Sequence, residues 1–319
     1  ARLTIGSFDQ KVNIRWLPNK EADLAVYEIW TSASPLSGYE RVKTSEKNDV
    51  YLENLSNFDR FYIKVRAVDR ADNKGPFGMA VEAVSLPEQG LYDLPRPGPV
   101  LEGSIKDNIL LVKGKSPYRV MSGIQVKPGA TLYAEPGVVL RFPPKASLVV
   151  DGGSFVAYGR KDLPVRLEPS VFEAQPGSWR GLVLDRTENT LLNYVVIEKA
   201  ETGMTIINSS PEIFSATIHQ CSQAGLYLKE NAQPNITCSV FSSNHGQGGM
   251  VIEGAGIAPR IRNNMFVGNE PFEVQSYTPL NVDLSGNYWG RPVPDETRFL
   301  GLVAWDPFLS EPPDNCQEP

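Results

Sequence analysis

The sequence predicts an all-β protein of two parts, a β-sandwich followed by a longer solenoid of stacked β-coils. Three observations carry this prediction. Apolar and polar residues alternate with a period of two over much of residues 1–88, and a degenerate repeat of 23 to 25 residues runs through the second part. The 27 glycines and 26 prolines are spread along the whole chain. Many short strands joined by many turns account for all three observations.

Composition and charge exclude two classes of function. Hydrophobic residues make up 41% of the chain and charged residues 21%, which is typical of a globular protein. No segment approaches the roughly 18 consecutive apolar residues that a membrane span requires. The formal net charge is −6 and the basic residues form no run, so a nucleic-acid partner is not expected.

The three cysteines do not point to a metal or redox site. Cys221, Cys238 and Cys316 form no Cys-x-x-Cys pair, and three is an odd number, too few for a disulfide framework. Cys221 and Cys238 are expected to be small buried thiols at different corners of the repeat. The role of Cys316, in a polar tail at residues 313–319, stays open.

The first part, residues 1–88, predicts a sandwich of about seven short strands. Its longest alternating run covers residues 61–67, and turn-forming residues follow each run. The segment resembles a fibronectin type III domain in Trp16, in residues 23–30 and in Leu55 with the strand that follows it. The resemblance implies a spacer or binding module without catalysis.

A short linker separates the two predicted domains. Residues 89–99 contain prolines at positions 95, 97 and 99. Because proline restricts the backbone, this segment is expected to be stiff. The second domain then covers residues 100–312.

Within that domain, three segments that begin at Pro211, Pro234 and Pro259 align without gaps over eleven positions. The third position is always Ile and the eighth is Ile or Phe. The eleventh position is occupied by Cys221, Asn244 and Asn269. A repeat this short cannot hold two helices, whereas three short strands and three turns fill it. Stacked coils would bury the Ile and Phe residues and align the Asn side chains into a hydrogen-bonded ladder.

This pattern resembles a right-handed parallel β-helix of the pectate-lyase-like superfamily, of the type found in secreted and surface proteins of bacteria. The resemblance rests on the Pro-x-Ile segments, the Asn turn and the closing stretch at residues 286–290. Roughly 210 residues at this repeat length correspond to about nine coils. The resemblance implies an extracellular, cell-surface or periplasmic location.

Enzymes of this superfamily cleave polysaccharides in a groove on one outer face, and the lyases use calcium and an Arg or Lys base. Hydrolysis needs two carboxylates about 5–10 Å apart, and coils stack about 4.8 Å apart, so acids at equivalent positions of neighbouring coils are the expected signal. Counting four residues on from the Gly that opens one strand of each coil selects Asp185, Ile207, Lys229 and Glu253. No two neighbouring coils are therefore expected to carry acids there.

The remaining candidates are few. Catalysis, if there is any, would fall to Glu230, Glu253, Arg260 and Arg262. Arg260 and Arg262 flank Ile261 and are expected to face outward together, where they could receive an acidic group. Binding candidates are these two arginines with Tyr227 and Tyr277, whose rings could stack on sugars. Solvated side chains on an outer surface are the simpler explanation for the charged candidates, and no metal ligands are predicted.

Three functions are compatible with these residues. The first is a noncatalytic module whose solenoid face binds polysaccharide or packs against other envelope or surface proteins. The second is a polysaccharide lyase or glycoside hydrolase acting on an acidic glycan, and only the lyase would need calcium. The third is a self-assembling subunit of a surface fibre or appendage. The missing acid stack favours the first, and a groove with two or three acids and a converging arginine would favour the second.

Overall fold

The computed structural model describes residues 3–313 and divides the chain into two units, Ala1–Asp93 and Leu94–Pro319. The first unit contains two antiparallel sheets. One has the order β1-β2-β5 and the other β4-β3-β6-β7. The strands are β1 (Leu3–Phe8), β2 (Lys11–Trp16), β3 (Leu24–Ser32), β4 (Glu40–Ser45), β5 (Asp49–Leu52), β6 (Arg60–Asp69) and β7 (Val81–Val84).

The apolar residues that alternate along β2, β3 and β6 meet between these two sheets. The most deeply buried are Val12, Ile14, Trp16, Tyr27, Ile29, Ile63 and Val65, none more than 4% exposed. The rings of Trp16 and Tyr27 pack edge to face with centroids 5.0 Å apart. The predicted fibronectin-like sandwich is confirmed.

The second unit is a parallel β-solenoid of about nine turns, as the repeat predicted. Its strands are β8 (Val100–Ile105), β9 (Ile109–Leu111), β10 (Tyr118–Val126), β11 (Thr131–Ala134), β12 (Val139–Phe142), β13 (Ser147–Asp151), β14 (Ser154–Tyr158), β15 (Val165–Pro169), β16 (Gly181–Asp185), β17 (Leu191–Asn193), β18 (Val195–Glu198), β19 (Thr202–Ile207), β20 (Glu212–Phe214), β21 (Thr217–His219), β22 (Ala224–Lys229), β23 (Asn235–Thr237), β24 (Val240–Ser242), β25 (Met250–Glu253), β26 (Arg260–Arg262), β27 (Met265–Val267), β28 (Val274–Ser276), β29 (Val282–Asp283), β30 (Phe299–Leu300) and β31 (Val303–Ala304). Short 3₁₀ turns occur at Leu91–Asp93, Lys113–Lys115 and Glu296–Arg298.

These strands form three faces. Face A contains β12, β15, β18, β21, β24 and β27, and face B contains β13, β16, β19, β22, β25, β28 and β30; the long strand β10 joins the two. Face C has the order β9-β11-β14-β17-β20-β23-β26. The chain visits C, A and B in turn, so each coil places one strand on each face.

The corners between faces have a regular backbone. The first residue after a face-C strand lies in the left-handed region at Tyr194, Ser215, Cys238 and Asn263. Gly181, which opens the face-B strand β16, is required for a different, steric reason. At Gly181 a Cβ atom would lie 1.8 Å from the carbonyl oxygen of Thr202 on the next coil, so only glycine allows the coils to approach.

The interior consists of rows of identical or similar side chains. Ile213, Ile236 and Ile261 are register partners on face C. The rings of Phe241 and Phe266 stack with centroids 4.8 Å apart. This stacking is the arrangement that the eleven-position repeat predicted.

Two asparagine ladders line the interior corners. In the predicted ladder, Asn244 Nδ2 donates to Asn269 Oδ1 at 2.8 Å, and the backbone N–H of Cys221 donates to Asn244 Oδ1 at 3.0 Å. A second ladder, which the repeat analysis missed, joins Asn264 Nδ2 to Asn287 Oδ1 at 3.0 Å. Both ladders satisfy backbone groups that burial would otherwise leave unpaired.

The cysteines differ from expectation at one position. Cys221 is a free, fully buried thiol, as predicted. Cys238 is disulfide-bonded, so its interpretation as a free buried thiol is wrong. It lies at a partly exposed, left-handed corner, where a side chain points away from the packed interior. Cys316 lies outside the described residues.

Candidate functional site

The outward side chains at the last position of the face-B strands form a polar edge along the solenoid. Asp151, Asp185, Ile207, Lys229 and Glu253 are consecutive register partners, one from each of five coils. The residue before each is apolar and buried, so strand alternation points these five outward. We call this surface, with the adjoining Lys127, Arg186, Tyr227, Glu230 and Tyr277, the polar edge.

Two acids do lie at equivalent positions of neighbouring coils, so the expectation that none would is wrong. Asp151 pairs with Asp185 across β13 and β16. The glycine count missed Asp151 because β13 opens with Ser147 where β16 has Gly181. The sequence feature that could have identified Asp151 is the similarity of residues 148–151, Leu-Val-Val-Asp, to residues 182–185, Leu-Val-Leu-Asp.

An arginine converges on this pair of acids. Arg186 Nη2 lies 2.5 Å from Asp151 Oδ1, and its Nη1 lies 2.9 Å from Asp185 Oδ2. Asp185 Oδ1 is buried and has no hydrogen-bond partner in residues 3–313. Burial raises the pKa of Asp185, Arg186 opposes the rise, and the Asp151 carboxylate adds to it. Burial therefore favours the protonated form of Asp185.

Three side chains further along the edge form a second cluster. The Tyr227 hydroxyl donates to Glu253 Oε2. Lys229 Nζ lies 4.3 Å from the centre of the Tyr227 ring and 3.9 Å from Glu253 Oε2. Burial, followed by the Glu253 carboxylate, raises the pKa of Tyr227 to about 12. The hydroxyl therefore remains a proton donor over the physiological pH range.

Tyr277 extends the edge by one coil. Its side chain is well exposed, and its hydroxyl donates to Gln275 Oε1. Gln275 Nε2 in turn donates to the Gln247 carbonyl at 2.9 Å. The ring is thus held in place at the surface with its face open to solvent.

Glu230 lies at the corner that follows β22, in the left-handed region. Its Oε2 accepts a hydrogen bond from Asn208 Nδ2, and Asn208 Oδ1 accepts one from Asn231 Nδ2 at 2.9 Å. Four of the six candidates, Tyr227, Glu230, Glu253 and Tyr277, therefore belong to the polar edge.

The two candidate arginines lie on face C instead. Arg260 and Arg262 flank the buried Ile261 on β26 and both point outward, with Arg260 exposed. Arg262 is not free to receive an external acid, because it forms an ion pair with Asp283 and also donates to Ser285. This pairing lowers the pKa of Asp283.

Comparisons with known proteins place these residues in context. Residues 171–301 match a family described as periplasmic copper-binding protein (NosD). An alignment over 81 residues is 33% identical to the protein bark beetle of Drosophila melanogaster, and it covers 23% of this chain and 3% of that protein. The chain therefore spans only a small fraction of that relative's length.

Two solved structures are similar to this chain over different shares of its length. A pectate lyase of Erwinia chrysanthemi bound to tetragalacturonic acid is 12% identical, covering 95% of this chain and 98% of the lyase, with a TM-score of 0.28. A human fibronectin type III domain is 19% identical, covering 27% of this chain and 71% of that domain, with a TM-score of 0.25. The assignment of the fold rests on the strand register described above.

The donor groups of residues 3–313 do not fit a copper site. No group of three or more His, Cys, Asp or Glu side chains in residues 3–313 is arranged to hold a metal ion. His219 lies 3.3 Å from Glu198, and His245 lies 4.0 Å from Glu270, so each imidazole has a separate acidic neighbour. Cys221 is enclosed in the interior. Within the same described range, no helix is long and apolar enough to cross a membrane.

Proposed function

We propose that this protein is a noncatalytic module that acts outside the cytoplasm and binds a neutral polysaccharide along the polar edge. The location is supported by the match to a family described as periplasmic.

The placement of Tyr227, Lys229, Glu253 and Tyr277 on neighbouring coils is the observation that carries the proposal. Sugars are recognised by aromatic rings that pack on their C–H faces and by polar groups that both donate and accept hydrogen bonds. The polar edge presents both kinds of group in a line. Its coil spacing of about 4.8 Å is similar to the length of one extended sugar unit.

The charges on the edge favour a neutral ligand over an acidic one. Lys127 Nζ lies 3.8 Å from Asp151 Oδ2, Arg186 contacts both aspartates, and Lys229 pairs with Glu253. Every basic side chain of the edge thus has a carboxylate partner. A polyuronate would have to displace one of these carboxylates and would be repelled by the rest.

A binding and cleavage assay tests this proposal. Purified protein is exposed to neutral and acidic polysaccharides with and without calcium, and bound protein and released reducing or unsaturated ends are measured together. We expect binding to a neutral polysaccharide without cleavage, weakened about fivefold by Tyr277→Ala. The control Tyr51→Ala, in the sandwich, should bind like the wild type. Preference for acidic chains, or equal weakening by both variants, would contradict the proposal.

A glycoside hydrolase is the second candidate, favoured by Asp151, Asp185 and Arg186. In this mechanism Asp185, whose pKa is raised by burial, protonates the leaving oxygen, and Asp151 attacks as nucleophile or activates water. The coil spacing is close to the about 5–5.5 Å separation of retaining enzymes. Release of reducing ends that Asp185→Asn abolishes and the exposed-site control Asp162→Asn preserves would establish this function in place of simple binding.

A further inference from the structure

The loop between β15 and β16 carries a phenylalanine that lies almost wholly in solvent. Phe172 is 93% exposed, the largest exposed fraction among the large apolar side chains of residues 3–313. Val171 beside it is 39% exposed. Single exposed apolar side chains are common on protein surfaces, so the shape of the loop decides whether this one is placed to contact a partner.

This loop projects from a fixed stem. Backbone hydrogen bonds to the coil before it enclose residues 171–179 on the loop side and residues 143–145 on the other, so the loop is six residues longer than the corner beneath it. Trp179, at the end of the loop, is fully buried and stacks on Phe142 with ring centroids 4.3 Å apart. The extra residues therefore stand out from an anchored base, and binding of the tip requires ordering of few residues.

A groove that could receive such a tip lies on the sandwich. It has a volume of about 600 Å³ and lies between β4 and β5, the edge strands of the two sheets. Val42, Leu55 and Phe61 line it with side chains that are exposed or half-buried, so a partner can reach them. Val42 is the extra residue of a bulge in β4, and a bulge interrupts the pairing of an edge. The volume lies within the about 300–1,000 Å³ of cavities that enclose drug-sized ligands, which is enough for one aromatic ring and a neighbouring side chain.

The charges at the base of the loop are positive on balance. Lys145 and Arg180 have exposed side chains without an ion-pair partner in the described part of the chain. Glu173, which follows Phe172, supplies one exposed carboxylate. Lys199 and Glu201 on the next corner cancel each other, so the loop and its base have a formal charge of +1.

The charged side chains that line the groove have the opposite balance. Glu53 and Asp59 are exposed acids, and Lys43 is an exposed base whose Nζ donates to the Tyr51 carbonyl at 2.8 Å. The lining therefore has a formal charge of −1. Two bases and one acid at the loop thus match two acids and one base at the groove, which favours this pairing of surfaces over contact between two loops or two grooves.

We propose that the loop of one copy of this chain inserts Phe172 into the sandwich groove of a second copy. The loop belongs to the solenoid and the groove to the sandwich, so two different surfaces meet and the contact is heterologous. Each copy that joins offers a new loop or a new groove, and the product is an open chain of copies or a closed ring. This inference does not depend on polysaccharide binding.

Sedimentation velocity of the full chain at increasing concentration tests the proposal. One inserted loop buries less than the roughly 1,200 Å² at the lower limit of stable interfaces, so we expect association in the micromolar range. The average mass should rise past that of a dimer as concentration increases. Phe172→Ser removes a side chain that packs on nothing in the folded chain, and should weaken association at least about tenfold.

A mixture of two variants distinguishes this contact from other modes of association. Val42→Asp places a carboxylate in the groove and should also leave the chain monomeric. Because Phe172→Ser keeps an intact groove and Val42→Asp keeps an intact loop, their equimolar mixture should form dimers that grow no further. Met79→Ser, at a sandwich residue that is 84% exposed and does not line the groove, should associate like the wild type.

Three results would overturn the proposal. The first is a wild-type chain that stays monomeric at every concentration. The second is association that Phe172→Ser leaves unchanged or that Met79→Ser weakens equally. The third is a mixture of Phe172→Ser and Val42→Asp, both with the circular dichroism of the folded chain, that forms no dimer.

Discussion

Glu28 in the sandwich and Glu273 in the solenoid are both buried beside an arginine, with opposite electrostatic results. Glu28 accepts from Arg66 Nε and Arg41 Nη1, both at 2.7 Å, and from Trp30 Nε1 at 3.0 Å. Burial alone would raise the pKa of Glu28, but these donors outweigh it and lower the pKa to about 2. Burial raises the pKa of Glu273 despite its donors.

Glu273 lies deeper in the protein than Glu28, and it also has fewer and more distant charged donors. Two guanidinium groups contact Glu28, whereas Glu273 has one, Arg298, at the longer distance of 3.3 Å. Desolvation of a carboxylate is offset only when enough charge-assisted hydrogen bonds replace water. Glu28 thus ties strands of the sandwich together, whereas Glu273 lies at the end of an asparagine ladder in the solenoid.

Breaking a ladder should give the largest effect and should be confined to the solenoid. Asn264 accepts from Ser239 N at 2.8 Å and donates to the Ile236 carbonyl at 2.9 Å and to Asn287. Asn264→Ala leaves several buried groups unpaired, and we expect a loss of about 3 kcal/mol in the free energy of unfolding. Denaturant unfolding with hydrogen exchange resolved by peptide measures this loss. The surface control Asn235→Ala should cost less than about 0.5 kcal/mol, and destabilisation of the sandwich peptides would contradict the prediction.

Removing the charge of Glu28 should act on the sandwich alone. Glu28→Gln leaves the largely buried Arg66 without a carboxylate, and we expect the sandwich to lose about 2 kcal/mol. Denaturant unfolding with hydrogen exchange resolved by peptide measures this loss in the sandwich. Glu82→Gln, at an exposed pair with Arg60, should change stability by less than about 0.5 kcal/mol. Equal effects of the two variants would show that burial of Glu28 is not the decisive difference.

Lowering the pH should change the stability contributions of Glu28 and Glu273 in opposite directions. Because the folded-state pKa of Glu28 lies below its ordinary value, its stabilisation is present above about pH 4.3 and is lost as pH falls toward 2, by about 1.5 kcal/mol between pH 5 and pH 3. Glu273 has the opposite sign, since its pKa is raised: its contribution becomes more favourable as pH falls through that raised pKa. Unfolding of Glu28→Gln and Glu273→Gln across this range should show slopes altered in opposite directions. If both variants changed the slope of stability against pH in the same direction, the predicted difference between Glu28 and Glu273 would be wrong.

The buried thiol of Cys221 reports unfolding of the solenoid without any substitution that would destabilise it. Burial raises the pKa of its thiol to about 12. Native protein should therefore resist alkylation of Cys221 at pH 8, and the rate should follow unfolding of the solenoid. Mass spectrometry of the Cys221 peptide measures the rate, which Asn264→Ala should increase and Glu28→Gln should leave unchanged. Rapid labelling of the native wild type would show that this interior is open.

The repeat determined which residues point inward. Ile213, Ile236 and Ile261, and the ladder from Asn244 to Asn269, follow from strand alternation and from an eleven-position pattern that contains no gaps. Alternation depends only on backbone geometry, so it can be read from the order of apolar and polar residues.

Which outward side chains become neighbours was decided by the tertiary structure. Asp151 and Asp185 are register partners although the segment between them is longer than one repeat, because the loop before Trp179 lengthens that coil. Arg262 likewise forms its ion pair with Asp283 only because the final turns of the solenoid bring the two side chains together. Coil-to-coil register depends on the length of each turn, and turn length varies without disturbing the apolar period. The sequence alone therefore determined the two-part β architecture and the inward rows of the eleven-position repeat, while stacking of the folded coils assembled the polar edge.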